Sequence, residues 1–123
     1  MEIIKIIQAK EVFAPHFQEK LAPSLSYKIY KFCKFADQEE EFYNQKRREL
    51  IEDYAQRDEN GVIIQNNGMI QLIPDRIAEA RSAMAELNAI DVDAPNVKFD
   101  LDELSEIKLS VADIVALDGF IND

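Results

Sequence analysis

The chain has 123 residues, 47% of them apolar and 31% charged, which suits one folded domain and excludes a disordered or collagen-like chain. Its 14 basic residues stand against 24 acidic ones, and a net charge of −10 disfavours direct nucleic-acid binding, which depends on cations clustered at the phosphates. The single cysteine, Cys33, excludes a disulfide scaffold and a zinc site built from cysteines.

The first segment, residues 1–23, combines a strand-like pattern with a helix-like one. Residues 3–7 are four isoleucines and one lysine, a run that can form a strand. The apolar residues that follow have helical spacing, and Pro15 favours a helix that begins near it, because proline is tolerated in a first turn. Pro23 is expected to close the segment. The later apolar positions are Val12, Phe13, Phe17 and Leu21.

The second segment, residues 24–60, is predicted to form one long helix. Ser24 and Ser26 offer N-cap oxygens, and neither glycine nor proline occurs from residue 25 to residue 60. One helix face is apolar at both ends and charged in the middle, so we expect either a break near residues 37–41 or an arm that docks on a partner. The alternative is an ordinary solvated face with local ion pairs. The candidate docking residues are Glu39, Glu40, Tyr43, Arg47 and Leu50.

Two shorter elements are predicted after the long helix. Residues 61–73 contain two apolar runs around an Asn-Asn-Gly sequence at 66–68, which predicts a β-hairpin. Residues 74–90 begin with a proline and continue with apolar residues at helical spacing, which predicts a second helix.

The last segment, residues 91–123, carries most of the excess acid but is expected to fold. It holds nine acidic residues and two lysines, a net charge of −7. Alternation at Val97, Phe99 and Leu101 predicts a short strand, and residues 110–113 resemble a capping box that opens a helix. The predicted fold class is therefore α+β, with one long helix, a hairpin, a second helix and a short C-terminal strand plus helix in a single domain over residues 1–123.

The acidic segment supplies one group of candidate partner-binding residues. Its carboxylates lack the spacing of a calcium loop, so turn and helix-cap roles are the ordinary interpretation. The sharper hypothesis is that they imitate the phosphates of a nucleic acid on the surface of a basic partner protein. The residues concerned are Asp91, Asp93, Asp100, Asp102, Glu103 and Glu106.

Catalytic chemistry has little support in the sequence. His16 is the only histidine, and it has no second ligand or base at a defined spacing. Cys33 lies among aromatic residues, where a thiol is more often an apolar filler than a nucleophile. Phosphate-binding loops, dinucleotide fingerprints and nucleophile elbows do not occur. We therefore expect a non-enzymatic protein with no catalytic residues, no metal site and no cofactor.

The order of several short stretches resembles one family. These stretches are Leu-Ala-Pro at 21–23, Ser-Tyr-Lys at 26–28, residues 39–51 with their Glu-Glu-Glu-Phe-Tyr start, Asp-Glu-Asn-Gly at 58–61, and the acidic, leucine-rich end. Together they resemble a group of small uncharacterised proteins encoded by tailed phages and prophages of Gram-positive bacteria. The resemblance spans most of the chain, implies a viral or prophage origin, and transfers no active residue.

That origin implies a protein partner, for which two roles stay open. One is a tail or virion assembly accessory factor that docks on a phage structural protein through the long helix, with self-association as a possibility. The other is an acidic inhibitor of the anti-CRISPR type that occupies the nucleic-acid channel of a host defence nuclease. The N-terminal apolar run is too short and too charged for a signal peptide or a membrane span, so we expect a location in the cytoplasm of the host bacterial cell and no membrane contact.

Overall fold

Five α-helices and a two-stranded antiparallel hairpin make up the regular structure within residues 1–122, the part of the chain that the computed structural model describes. The α+β prediction with one long helix is confirmed. The helices are α1 (Ile3–Phe13), α2 (Pro23–Tyr54), α3 (Ile77–Asn88), α4 (Leu101–Leu104) and α5 (Val111–Leu117), and the strands are β1 (Gln65–Asn66) and β2 (Met69–Ile70). None of the helices within this range is long and apolar enough to cross a membrane.

Residues 3–7 form the start of α1, so the strand considered for them is wrong. Isoleucine favours strands locally, but Ile3, Ile6 and Ile7 all become buried on a helix, and this packing outweighs the local preference. Pro15 does not begin a helix either, since it lies in the short 3₁₀ turn Ala14–His16 that ends α1.

The long helix α2 runs without a break from Pro23 to Tyr54, about 48 Å at 1.5 Å per residue. Pro23 opens this helix instead of closing the previous segment, and the N-cap residue is Ala22, so the capping roles predicted for Ser24 and Ser26 are wrong. The predicted end at residue 60 is also too late. After Tyr54 the backbone becomes extended. Its N–H and C=O groups form hydrogen bonds with residues 71–73, which follow the hairpin, and these bonds replace those of a longer helix.

The break expected near residues 37–41 is absent because α1 supports this part of α2. Lys10 lies between the carboxylates of Asp37 and Glu40, with its Nζ 3.2 Å from Glu40 Oε1. The side-chain hydrogen bond to Asp37 raises the pKa of Lys10 and outweighs the lowering caused by burial. The charged middle of the helix is therefore paired across to α1.

Two groups of buried side chains hold the helices together. The larger group centres on Phe13, Phe32, Phe99 and Phe120, whose rings meet at centroid distances of 4.8–6.0 Å. The smaller group joins the start of α1 to the middle of α2 and the end of α3; its members are Ile3, Ile7, Tyr43 and Leu87. Because Phe13 meets Phe32 while residues near the start of α1 meet Tyr43, α1 lies antiparallel to α2.

The hairpin and second helix form where they are predicted. Asn67 and Gly68 have φ values of 53° and 78°, as a tight turn with two left-handed residues requires. Gln65 pairs with Ile70 and Asn66 with Met69. The second helix is a 3₁₀ turn, Pro74–Arg76, that continues as α3.

The predicted C-terminal strand is reduced to one parallel backbone bridge between Phe99 and Ile121, with an N···O distance of 2.8 Å from Phe99 N to Phe120 O. The alternation does not extend to Leu101, because the side chains of Asp100 and Glu103 form a capping box that begins α4 there. The second capping box is confirmed: Asp113 N donates to Ser110 Oγ at 3.1 Å, and Ser110 N to the Asp113 carboxylate at 3.0 Å.

Candidate functional site

Residues 50–84, here called the distal unit, have an unusually thin apolar core. The unit comprises the end of α2, the hairpin and most of α3, and its only fully buried side chain is that of Ala55. Twelve larger apolar side chains remain at least partly exposed: Leu50, Ile51, Tyr54, Val62, Ile63, Ile64, Met69, Ile70, Leu72, Ile73, Ile77 and Met84. Monomeric proteins rarely leave a large contiguous apolar surface uncovered, so this end of the molecule is a candidate interaction site.

An open groove runs between α2, the hairpin and α3 within this surface. Its volume is about 510 Å³, and its apolar lining comes from all three elements. The lining residues are Leu50, Ile51, Tyr54, Met69, Ile70, Leu72, Ala80 and Met84, with Arg47 and Arg81 also lining it. A groove of this composition can receive apolar side chains of a partner while the two guanidinium groups bind carboxylates.

Backbone hydrogen bonds, more than buried side chains, fix the shape of the groove. Gln56 N donates to Gln71 O at 2.8 Å and Ile73 N donates to Tyr54 O at 2.9 Å, which joins the hairpin to the chain leaving α2. The guanidinium of Arg76 lies 4.4 Å from the centroid of the Tyr54 ring and also contacts Glu79. Tyr54 is thereby held in the groove wall.

All five arginines of the chain lie between residues 47 and 81, at positions 47, 48, 57, 76 and 81. Arg57 bonds Gly61 O at 2.9 Å, and Arg76 is paired with Glu79. Arg47, Arg48 and Arg81 are exposed, and no ion pair to them occurs within residues 1–122. Arginine and methionine are both enriched at protein interfaces, so the lining of the groove fits an interface in composition as well as in exposure.

The five predicted docking residues of α2 separate into three sets. Arg47 and Leu50 line the groove. Glu40 binds Lys10, and Tyr43 is buried and donates from its hydroxyl to Asn88 Oδ1 at 2.7 Å. Burial raises the pKa of Tyr43. Glu39 is half-buried and lies outside the groove lining.

Four of the six candidate acidic residues are engaged in contacts within the chain. Asp91 contacts the amino group of Met1 at 2.6 Å, and Asp100 accepts from Asn122 at 2.8 Å. Glu103 pairs with Lys28 at 2.6 Å, and Glu106 accepts from the backbone N–H of Ala22 at 2.9 Å. Asp93 and Asp102 are exposed, and no side-chain partner of either occurs among the described residues.

These carboxylates also lie in two separate places. Asp91 is beside the first residue of α1, whereas Glu103 and Glu106 lie against the start of α2. Because α1 and α2 are antiparallel, the two places are separated by about the length of α1, roughly 16 Å at 1.5 Å per residue. The structure therefore brings Asp100, Glu103 and Glu106 together and leaves Asp91 apart.

The paired and unpaired carboxylates should respond differently to neutralisation. Glu103→Gln with Glu106→Gln removes the charge of the ion pair to Lys28 and leaves weaker, neutral acceptors in the capping box and at the start of α2, so we expect the free energy of unfolding to fall by about 1 to 2 kcal/mol. The control with the same charge change, Asp93→Asn with Asp102→Asn, should alter it by about 0.5 kcal/mol or less. Urea unfolding of both variants measures the difference; equal effects would contradict the structural role of the two glutamates.

His16 and Cys33 lie outside the groove of the distal unit, and both line a separate cavity beside the first half of α2. His16 Nδ1 contacts the carboxylate of Glu19, three residues further along the chain. Cys33 is buried in the larger core, as its sequence context predicts. Within residues 1–122, no cluster of three or more histidine, cysteine or acidic side chains is arranged to hold a metal ion.

Cys33 is expected to react slowly with thiol reagents. Burial raises its pKa from 9.0 to about 11, so at pH 8 the thiolate, and with it the labelling rate, should be about a hundredfold below that of the unfolded chain. The unfolded thiol ionises first, so stability should fall as the pH rises from about 9 to about 11. Labelling with a chromogenic disulfide in native buffer and in denaturant gives both rates, and equal rates would contradict the burial.

Comparison with protein-family models, curated proteins and solved structures finds no match to this chain. The exposed apolar groove and its two arginines are consequently the observations on which a function rests.

Proposed function

We propose that this protein acts without catalysis by binding a partner protein, in a phage or prophage context, and that a segment of the partner occupies the distal groove. The observation that carries the proposal is the incomplete burial of the twelve larger apolar side chains in residues 50–84. The resemblance of the sequence to small proteins of tailed phages and prophages supplies the expected context.

A partner that covers this surface gains free energy from the burial of its apolar side chains. Each Å² of apolar surface that a partner removes from water contributes about 25 cal/mol. The partly exposed aliphatic side chains already lie in a fixed arrangement, so a partner would bury them at a small cost in conformational entropy. Arg47 and Arg81 can fix the orientation of the partner segment, since a guanidinium group binds a carboxylate through two parallel hydrogen bonds.

This surface favours a phage structural protein over a defence nuclease as the partner. An apolar groove forms contacts that persist at high salt, whereas phosphate imitation depends on free carboxylates and weakens with salt. Among the six acidic candidates, the four carboxylates of Asp91, Asp100, Glu103 and Glu106 already have partners inside the chain. The acidic-inhibitor hypothesis thus has the weaker structural support.

Site-specific photo-crosslinking in phage-carrying cells tests the proposal. A photoreactive residue at Met69 or at Ala80 should crosslink one and the same protein, because both positions line the groove. A photoreactive residue at Val111, which is 82% exposed on α5, is the matched control and should not capture that protein. The crosslink should persist in a lysate at about 0.5 M salt, because salt screens the arginine contacts but not the apolar ones.

Three results would overturn the proposal. Capture of nothing from Met69 and Ala80, or capture of the same protein from Val111, would contradict the groove as the binding site. A crosslinked product of twice 14.1 kDa would identify the occupant as a second copy of this chain and not a different partner.

A further inference from the structure

A stripe of exposed aromatic and basic side chains lies on the first half of α2, away from the distal unit. It consists of Tyr27, Tyr30, Lys31 and Lys34, here called the lysine–tyrosine face, whose spacing of three, four and seven residues places them on one side of the helix. Tyr27 is 61% exposed and Tyr30 is 58% exposed. Lys31 Nζ lies 5.4 Å from the Tyr27 ring centroid, and the two rings are 18° from parallel.

The stretch of chain that carries this stripe is basic, although the whole molecule is acidic. Residues 20–36 hold four lysines and no acidic residue, in a chain with a net charge of −10. Lys28 is paired with Glu103. Lys20, Lys31 and Lys34 are exposed, and no ion pair to them occurs in the part of the chain that the structure describes.

A cavity of about 600 Å³ opens beside the stripe, between α2 and the chain that follows α1. Its apolar lining comes from Phe17, Leu21, Ile29, Tyr30 and Cys33. Its polar lining consists of Ser26, Lys34, the ion pair of Lys10 with Asp37, and His16 beside Glu19. Phe17 is itself 51% exposed. The volume suits one or two bulky apolar side chains, and cationic groups are available where the cavity meets the stripe.

We propose that the lysine–tyrosine face and this cavity form a second binding site, which takes an acidic, amphipathic helical segment of a protein. Carboxylates of the segment bind Lys31 and Lys34, and an apolar side chain enters the cavity beside Tyr30. The stripe covers about 10 Å along α2, the length of two turns of a partner helix. The site is independent of the distal groove, so its failure leaves the proposed function unaffected.

A protein segment fits these features better than a nucleic acid does. The apolar part of the cavity lining matches an apolar side chain, whereas the carboxylates of Glu19 and Asp37 in the same lining oppose a polyanion that would have to enter the cavity. The net charge of −10 repels a ligand in proportion to the charge of that ligand, so a long polyanion is opposed more strongly than a short acidic helix.

Selection from a library of random displayed peptides tests this site without a known partner. Peptides selected on the wild-type protein are screened against Tyr30→Ala with Lys31→Glu and Lys34→Glu. The matched control is Phe42→Ala with Lys5→Glu and Lys108→Glu, which removes one exposed aromatic ring and reverses two exposed lysines elsewhere. Circular dichroism verifies that both variants fold.

The expected products are acidic peptides with apolar residues at helical spacing. They should bind the wild type and the control alike, bind the face variant at least about tenfold more weakly, and lose affinity as salt rises from about 0.05 to about 0.5 M. Arg81→Glu in the distal groove should leave their affinity unchanged.

Several outcomes would overturn the proposal. The first is that no enriched peptide binds the wild type more tightly than the face variant. The second is that only neutral peptides are enriched, and the third is that the control variant loses as much binding as the face variant. A further such outcome is that no acidic peptide is selected, while the wild type binds oligothymidylate or phosphatidylglycerol vesicles and the face variant does not. The ligand of this site would then be a nucleic acid or a membrane, and not a protein segment.

Discussion

Replacement of Phe32 by alanine is expected to lower the free energy of unfolding by about 3 to 5 kcal/mol. Phe32 is fully buried, and its ring contacts those of Phe13, Phe99 and Phe120 at centroid distances of 5.8, 6.0 and 4.8 Å. These three rings come from α1 and from the two sides of the C-terminal bridge, so one truncation loosens three parts of the chain. The loss includes the transfer free energy of the ring and the cost of the cavity left behind.

Phe42→Ala is the matched control for this prediction. Phe42 lies on the same helix, and its ring is 43% exposed. Its removal should cost about 1 kcal/mol or less. Urea unfolding of both variants provides the comparison, and a Phe32→Ala protein within about 1 kcal/mol of the wild type would contradict the described core.

Arg81→Glu is expected to weaken binding of the groove partner by about 10- to 100-fold. Arg81 lines the groove and is exposed, so the substitution should leave the fold and its stability unchanged. The effect arises because a carboxylate then faces the acidic group of the partner where a guanidinium had bound it. Most of the change should appear as faster dissociation.

Arg48→Glu makes the same charge change at the residue that follows Arg47 on α2 and is the control. Arg48 is exposed and does not line the groove. The affinity of the Arg48→Glu variant for the partner that crosslinks to position 69 should stay within about threefold of the wild-type value, since charges at the rim of an interface contribute little. Equal weakening by the two substitutions would mean that the arginines act only through their general charge. It would contradict a specific contact between Arg81 and the partner.

The elements that the sequence predicts well are those with a local chemical cause. Asn67-Gly68 defines the hairpin turn, because both residues adopt left-handed conformations that few other residue pairs tolerate. Ser110 and Asp113 define the start of α5 by reciprocal side-chain bonds to the backbone.

The sequence-based predictions are wrong where residues far apart in the sequence determine the local structure. Residues 3–7 have the composition of a strand and become helical because α2 and α3 receive their side chains. The end of α2 at Tyr54 depends on the ladder to the hairpin, which local propensity does not contain. Lys10, 27 residues from Asp37, supports the charged middle of α2, so neither the expected break nor an exposed arm occurs there.

Only part of the candidate site can be predicted from the sequence. Arg47 and Leu50 belong to the helical stripe and line the groove, whereas Tyr43 of the same stripe is buried against α3. The hairpin contribution was missed because exposure of Met69 and Ile70 depends on how the hairpin packs. One signal was present: all five arginines lie within residues 47–81, and arginine is enriched at interfaces.

Amide hydrogen exchange of the protein with and without the captured partner tests the central claim most directly. In the free protein, residues 25–36 should be strongly protected, since they pack into the larger core, and residues 62–73 should exchange faster. The partner should then slow exchange at residues 47–84 and leave residues 98–118 unchanged. Protection that appears at residues 98–118 and not at the groove would contradict the distal unit as the binding surface and favour the acidic segment instead.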